Sequence, residues 1–248
     1  MTFSLITVTY NAAQTIERTL QSIAVQKCTD YEHLVIDGAS QDTTLDICRR
    51  YETERMVIVS EPDHGLYDAM NKGLRLAKGQ YICFLNAGDK LSGAHTLEAI
   101  ATALKSEPTP PGVLYGHTNI VDADGHYLRP RHLTPPQQLT WKSFRWGMLV
   151  CHQAFYVNRQ IAQPYNLSYR FSADFDWCIR CMKEGERRGM QNQFVQQPLC
   201  DYLSEGMTTQ NHKASLIERF RIMVQHYGLI PTVLRHIGFI IRNVGSKS

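Results

Sequence analysis

Three stretches put a carboxylate where it could do chemistry. Tyr81-Ile82-Cys83-Phe84-Leu85 is an apolar run that passes into Asn86-Ala87-Gly88-Asp89. The run reads as a strand buried on both faces, and Gly88-Asp89 as the point where it stops. In open α/β sheets ligands bind just beyond the carboxyl ends of such strands, and an Asp there can hold a metal ion against a phosphate. Asn, Gly and Asp also make a plain surface turn, so from this stretch alone both readings stand. His33-Leu34-Val35-Ile36-Asp37 has the same form, a strand closing on Asp37-Gly38-Ala39-Ser40. Asp174 and Asp176 lie near the start of a helical pattern over 172–185, with Ser172 as N-cap candidate. Residues two apart on a helix point to different sides, and from the residues alone both acids stabilise the positive end of that helix. Cys178 and Cys181 form a CxxC, but inside a helical pattern and without a second pair, which argues against zinc or redox chemistry.

The elements that must position these residues alternate. Phe3–Thr9 is a β-branched strand ending at Tyr10-Asn11, and a helical pattern follows with Ile16, Leu20, Ile23 and Ala24 on one face. The strand ending at Asp37 precedes a helix carrying Leu45, Ile47, Cys48 and Tyr51, with Asp42 as its cap. Met56–Ser60 is a third strand, Asp68–Ala77 a helix stopped by Gly79, and Tyr81–Leu85 the fourth strand. This order predicts an α/β fold with a mostly parallel sheet between helices, a nucleotide-binding architecture. GxGxxG after the first strand and GxxxxGK[ST] are both missing, which excludes a dinucleotide fold and a P-loop ATPase. The proline-rich 107–112 segment closes the first half. Beyond it, 113–121 and 126–128 read as a hairpin around Asp122-Ala123-Asp124-Gly125, and 154–157 as a further strand.

A chain of 248 residues, 43% hydrophobic and 20% charged, is that of an ordinary globular protein, and a net charge of +3 implies no nucleic-acid partner. The charge is uneven: from Lys213 onward six Lys/Arg stand against one acid, Glu218, while the preceding residues hold 20 basic and 22 acidic. Seven cysteines, several in apolar or helical runs, read as reduced thiols. With no secretory signal and no run of about 18 apolar residues, the expected location is cytoplasmic.

Several of these stretches together resemble family 2 glycosyltransferases, inverting enzymes of GT-A fold that use nucleotide-diphosphate sugars. The matching pieces are Ile6–Asn11, Val35–Thr44, Ser60–Gly73 and Tyr81–Asp89, then Cys151-His152-Gln153-Ala154 and Phe171–Trp177 in the second half. Six motifs occur in the family's order over most of residues 3 to 211, and the long third one is most similar to the bacterial subgroup that builds capsule, exopolysaccharide or O-antigen units.

The resemblance implies a GT-A domain over 1–212, with a nucleotide-sugar-binding half (1–106) and an acceptor half (113–212), followed by a C-terminal helical extension over 213–248. It implies Mn²⁺ or Mg²⁺ on Asp89, the one carboxylate left where relatives hold two or three, since Asn86 and Gly88 replace the others. Divalent cations of this kind take oxygen ligands and ease the departure of a diphosphate. Thr9, Asn11, Asp37, Asn86 and Lys72 are the implied nucleotide contacts. Asp37 matches the residue that accepts from the base, commonly uracil, and is otherwise a helix-cap or turn Asp. Lys72 either faces the diphosphate or is an exposed helical Lys. Asp174 falls on the family's catalytic base, with Ala173 in place of the usual Glu. His152, Gln153 and Trp177 are the implied acceptor-side residues, Trp177 being equally well a core aromatic. Gly206, Thr208 and His212 resemble the family's diphosphate loop, or form a plain polar loop.

Val233, Leu234, Ile237, Ile240, Ile241 and Val244 form one apolar stripe, with Arg235, His236 and Arg242 off it. Such a basic amphipathic helix over 228–244 lies on an anionic membrane, or packs on the domain or a second subunit as a homodimer. The first reading suits the subgroup's polyprenyl-diphosphate-linked saccharide acceptors and a site on the inner face of the membrane. Two other functions compete with the transferase. A nucleotide-sugar-binding subunit that lost catalysis is suggested by Asn86, Gly88 and Ala173. A sugar nucleotidyltransferase would need a glycine- and arginine-rich loop after the first strand, which Thr9–Thr15 lacks.

Overall fold

The computed structural model describes residues 1–204 and 212–245, the side chains of 212 and 238–245 excepted. Strand β1 (Phe3–Thr9) is buried at every position, as an apolar β-branched run must be when it has strands on both sides and helices on both faces. It pairs in parallel with β2 (Tyr31–Asp37) on one side and with β4 (Tyr81–Phe84) on the other. β3 (Met56–Ser60) adds in parallel to β2. The strand order therefore runs outward in both directions from β1, and its carboxyl end is a topological switch point where a crevice must open.

The nine-stranded sheet continues through β8 (Phe155–Asn158), β6 (Val113–Val121), β9 (Asn192–Leu203) and β5 (Lys90–Leu91). This half is mixed. β8 runs antiparallel to β4 and β6, β9 is parallel to β6, and β7 (Tyr127–Pro130) closes the expected hairpin on β6. Register slips where His117 faces Pro198, a residue with no N–H to give the ladder.

Helix α1 (Ile16–Ala24) packs Ile16, Leu20 and Ile23 on the sheet, as its apolar spacing requires. Helix α2 (Thr44–Arg50) starts where the Asp42 carboxylate accepts from the Thr44 N–H, the expected cap. Helix α3 (Leu66–Leu76) crosses β1 at Gly73, where a Cβ would come within 2.4 Å of Ile6 Cγ2. Its Asn71 amide bonds both the N–H and the carbonyl of Tyr165, joining the two halves. Helix α4 (Thr96–Lys105), which buries Leu97 and Ile100, β9 and the two-residue β5 are the α-helix and strands that the sequence reading left out.

Helix α5 (Ala173–Arg187) begins at Ser172, but the Ser172 hydroxyl bonds Ser215 rather than capping its own helix. Ser215 belongs to α6 (His212–Tyr227), which is followed by α7 (Leu229–Gly245). The expected boundary at 212/213 is not one of packing, because α6 buries Ile222 and Met223 in the domain core. The Glu218 carboxylate also accepts from the N–H groups of Arg170, Phe171 and Ser172, at 2.8, 2.8 and 2.9 Å. Asp176, on the far side of α5 from Asp174, is bound by Arg180 and by His226 of α6 rather than left to face the helix end. All seven cysteines are free thiols.

Removing the Glu218 carboxylate should therefore loosen α6 and the entry to α5 together. Glu218→Ala is expected to cost about 2 kcal/mol in urea unfolding, for three donors left without an acceptor, and Glu218→Gln less.

Candidate active site

A cleft of about 800 Å³ opens at the carboxyl ends of β1 and β4. Its first wall is Thr9 at the end of β1 and Tyr10, Ala12 and Thr15 after it, with Asp63 from the β3–α3 connection and Tyr67 from the first turn of α3. Its floor is Asn86 and Asp89. Its far wall is Cys151, His152 and Gln153 with Asp174, and Arg219 reaches in from α6. Asp89 and Asp174, 85 positions apart in the sequence, thus share one space.

The turn carrying Asp89 is fixed by α1. Thr19 Oγ1 accepts from Gly88 N at 2.9 Å and donates to the Asp89 carbonyl at 2.7 Å. Gly88 has φ of +102°, a conformation that selects glycine whatever lies nearby. The Asp89 carboxylate is buried. Oδ1 accepts from Leu203 N–H at 3.1 Å and Oδ2 from Gln153 Nε2 at 2.6 Å. Burial pushes its pKa up to about 6, against the lowering effect of those two bonds. Both of its hydrogen bonds come from neutral donors, and each oxygen keeps a lone pair. Asn86 Oδ1, in the same turn, is buried with no partner, and so is Thr9 Oγ1. These all-oxygen donors suit Mg²⁺ or Mn²⁺ with its phosphate and water ligands, or the hydroxyls of a ribose.

The Asp174 carboxylate is held at both oxygens. Tyr67 Oη donates to Oδ1 and His152 Nδ1 contacts Oδ2, each at 3.3 Å. Burial alone would raise this carboxyl, but the His152 hydrogen bond and the nearby Arg219 guanidinium outweigh it and hold it below the ordinary carboxylate value. Asp174 is therefore ionised at neutral pH, as a proton acceptor must be. The Cys151 thiol is pushed up by burial to about 11 and stays protonated.

Thr9, Asn86, Asp89, His152, Gln153 and Asp174 come together in the cleft. Four other candidates do not. Asp37 is fully buried, and its carboxylate is taken up by Ser40 N, Ser40 Oγ and Ser60 Oγ, so it braces the ends of β2 and β3 instead of facing a base. The carboxylate lining this end of the cleft is Asp63, which accepts from Gly65 N–H. Asn11, in a left-handed conformation, spends its side chain on Gln41 N–H. Lys72 pairs with Glu61 at 3.0 Å and donates to the Pro62 carbonyl, so it points neither to a diphosphate nor to solvent. Trp177 is a core aromatic, stacked on Tyr165 with Nε1 on the Gln163 carbonyl, and offers no face to a sugar. Gly206 and Thr208 lie outside the described residues, as does the side chain of His212.

The pattern of Glycosyl transferase family 2 matches residues 4–163. The chain belongs to family 2. As a family 2 glycosyltransferase it is 36% identical over 196 residues to the PGL/p-HBAD biosynthesis glycosyltransferase of Mycobacterium bovis, covering 72% of this chain and 69% of the relative. It is 24% identical over 232 residues to the amylovoran biosynthesis glycosyltransferase AmsB of Erwinia amylovora, covering 88% and 75%. Two solved structures share its fold. Staphylococcus aureus TarS 1–349 in complex with UDP-GlcNAc has a TM-score of 0.68 and 16% identity over 96% of this chain and 73% of TarS. The Pyrobaculum calidifontis mannosyltransferase PcManGT in complex with GDP-Man and Mn²⁺ has a TM-score of 0.63 and 19% identity over 93% and 66%.

Among the residues that line the cleft, the sequence reading missed Tyr10, Asp63, Tyr67 and Arg219. Tyr10 and Tyr67 lie inside quoted motifs and were legible as aromatics beside strand ends. Arg219 was not, because only the packing of α6 brings it to the cleft. Among the described residues, the group of three metal-ligand side chains within 4.8 Å of one another is Asp122, Asp124 and His126, in the β6–β7 turn rather than in the cleft.

A cation on Asp89 must compete with the proton there. Mn²⁺ is expected to raise the melting temperature at pH 7.5, and its affinity to fall about tenfold per pH unit below about 6, the Asp89 value. Thermal melts with and without Mn²⁺ across pH 5–8 check this, and Asp89→Ala should remove the shift at every pH.

Proposed function

We propose that the protein transfers a sugar, with inversion, from a UDP-sugar to a lipid-linked saccharide acceptor in the building of a bacterial surface polysaccharide. The observation that carries this reading is the pair of carboxylates in one cleft. Asp174 is ionised and hydrogen-bonded at both oxygens, and Asp89 is buried among unpartnered oxygens. Asp174 takes the proton of an acceptor hydroxyl as its oxygen attacks the anomeric carbon on the face opposite the diphosphate. The anomeric carbon–oxygen bond to the phosphate breaks, and the nucleoside diphosphate leaves with the bonding electron pair. A divalent cation on Asp89 would neutralise the charge that builds on the departing diphosphate.

Tyr10 supports a nucleobase at the other end of the cleft: its ring is 63% exposed beside Asp63, a free face on which a base can stack. TarS, with the same fold, is a structure holding UDP-GlcNAc. Named relatives in PGL/p-HBAD and amylovoran biosynthesis support a polysaccharide or glycolipid product.

No helix among the described residues is long and apolar enough to cross a membrane. Helix α7 instead leaves Leu229, Ile230, Val233, Leu234 and Ile237 exposed. An apolar stripe in a basic segment fits the interface of an anionic bilayer on the inner face of the membrane, where a polyprenyl-diphosphate-linked acceptor would be met. Lipid-linked acceptor and peripheral location belong to this proposal together.

Two measurements test it. Wild-type protein with Mn²⁺ should slowly release nucleoside diphosphate from its UDP-sugar, whereas Asp174→Asn should lose at least about 100-fold; equal rates would remove Asp174 from the base role. The full-length Ile230→Glu, Leu234→Glu double variant should lose sedimentation with phosphatidylglycerol-containing liposomes. Unchanged sedimentation sinks the membrane contact, and a dimer-to-monomer change on light scattering would assign the stripe to a second subunit.

A further inference from the structure

Two consecutive residues touch all three of the polar groups on which the site turns. The 3-10 turn His152–Ala154 leads into β8, which pairs with β4, so it sits directly beside the Asn86–Asp89 turn that ends β4. His152 Nδ1 lies 3.3 Å from Asp174 Oδ2, and its Nε2 lies 3.4 Å from the amide nitrogen of Asn86. The Gln153 amide nitrogen lies 2.6 Å from Asp89 Oδ2. Both side chains are almost fully buried, His152 at 8% exposed and Gln153 at 1%.

With His152 neutral, the hydrogen-bond requirements of these groups leave one consistent arrangement. A carboxylate accepts only, so His152 must carry its proton on Nδ1 to bond Asp174. Nε2 is then a bare acceptor, and it can be met only by the Asn86 amide N–H. That bond turns Asn86 Oδ1 away from His152 and leaves it as the buried unpartnered oxygen in the cleft. Gln153 is fixed in the same manner. Its Oε1 accepts from the Cys151 thiol, which burial keeps protonated, and this orients its N–H toward Asp89. Its backbone carbonyl accepts from Cys83 Sγ in β4, which ties the turn to the strand.

We infer that His152 and Gln153 are positioning residues that act through other groups: His152 aims the base Asp174 and turns the Asn86 oxygen into the cleft, and Gln153 orients Asp89 for its cation. They are not acceptor contacts, as resemblance alone had suggested. The inference rests on the proposed transferase for its kinetic tests, but not for its binding and spectroscopic ones. The reach of the dipeptide has a mechanical consequence. Donor-side and base-side groups hang from one turn, so their separation is set by the pairing of β4 with β8 and not by a mobile loop. Asp174 is also faced by Tyr67 from α3, Tyr165, Tyr202 from β9, Arg219 from α6, and the Cys151 and Cys178 thiols. The phenols and thiols are raised and neutral near pH 7, which leaves His152 and Arg219 as the partners able to hold Asp174 ionised.

Paired amide substitutions separate the two bonds of His152. In His152→Gln the amide can replace Nε2 but not Nδ1. It should lower kcat at least about tenfold with donor KM little changed. It should also move the acidic limb of the pH profile to higher pH, because a lowering influence on Asp174 is gone. In His152→Asn the amide can replace Nδ1, and this variant should restore most of kcat while raising donor KM. Gln153→Met, of similar volume, should weaken Mn²⁺ binding roughly 10–100-fold by electron paramagnetic resonance, a readout independent of turnover. In the wild type, ¹⁵N spectra of His152 should show the Nδ1–H tautomer. An Nε2–H tautomer, equal kcat and pH profile in wild type and His152→Gln, or unchanged Mn²⁺ affinity in a folded Gln153→Met would each overturn the assignment. Failure of the wild type to release nucleoside diphosphate from any donor would instead overturn the proposed function, with the tautomer and Mn²⁺ results still deciding this one.

Discussion

The structure depends on a single strand having parallel neighbours on both sides. β1 aligns Thr9 with Asp37 on β2, so those two strands end level, while β4 ends at Phe84 beside Ile6 and its chain follows β1 on to Val8. A strand so enclosed must be apolar on both faces, and β1 meets this by burying every residue. The cleft opens at the ends of β1 and β4. Gly73 shows how tightly the constraint is drawn, since α3 comes so close to β1 that a methyl group would collide with Ile6.

Placing acidic groups at the bottom of that crevice carries an electrostatic cost, and the two carboxylates meet it differently. Asp174 is given the His152 bond and the Arg219 charge, and is stabilised as an anion. Asp89 is bonded by an amide and a backbone N–H, and burial outweighs these and the more distant Arg18 charge and raises it. The difference matches the work each group would do in a transferase. A proton acceptor must be ionised before the substrate arrives, whereas a cation ligand gains its counter-charge from the cation. The reduced motif Asn86-Ala87-Gly88-Asp89 is consistent with this division, because one well-oriented carboxylate and a neutral amide oxygen are easier to bury than several carboxylates.

Helix α6 belongs to the site as much as the strands do. Glu218 gathers the three N–H groups at the entry to α5, His226 and Arg180 neutralise Asp176 behind it, and Arg219 reaches the cleft. The Glu218 and His226 contacts orient the first turn of α5, which carries Asp174. Helix α7 follows α6, with Leu229, Ile230, Val233, Leu234 and Ile237 exposed.

The sequence alone determined the alternation of strand and helix in the first half, the strand ends where chemistry would sit, and the family. Those features are local: an apolar run of β-branched residues and a glycine-containing turn declare themselves within about ten residues. Gly88 and Asp42 could likewise be read where they stand, because their roles are set by neighbours in the chain. The tertiary structure decided what depends on partners far away. Asp37 and Lys72 had the right chemistry for a nucleotide, yet Ser60 and Glu61 occupy them. Trp177 was suited to a sugar until Tyr165 stacked on it. β9 escaped notice because its polar residues and Pro198 obscure any period-2 pattern, and α4 because packing rather than a capping signal defines it. The roles of His152 and Gln153 were likewise out of reach. Their types show only that they can donate and accept hydrogen bonds, and the pairing of β4 with β8 is what sets them between Asp174, Asn86 and Asp89.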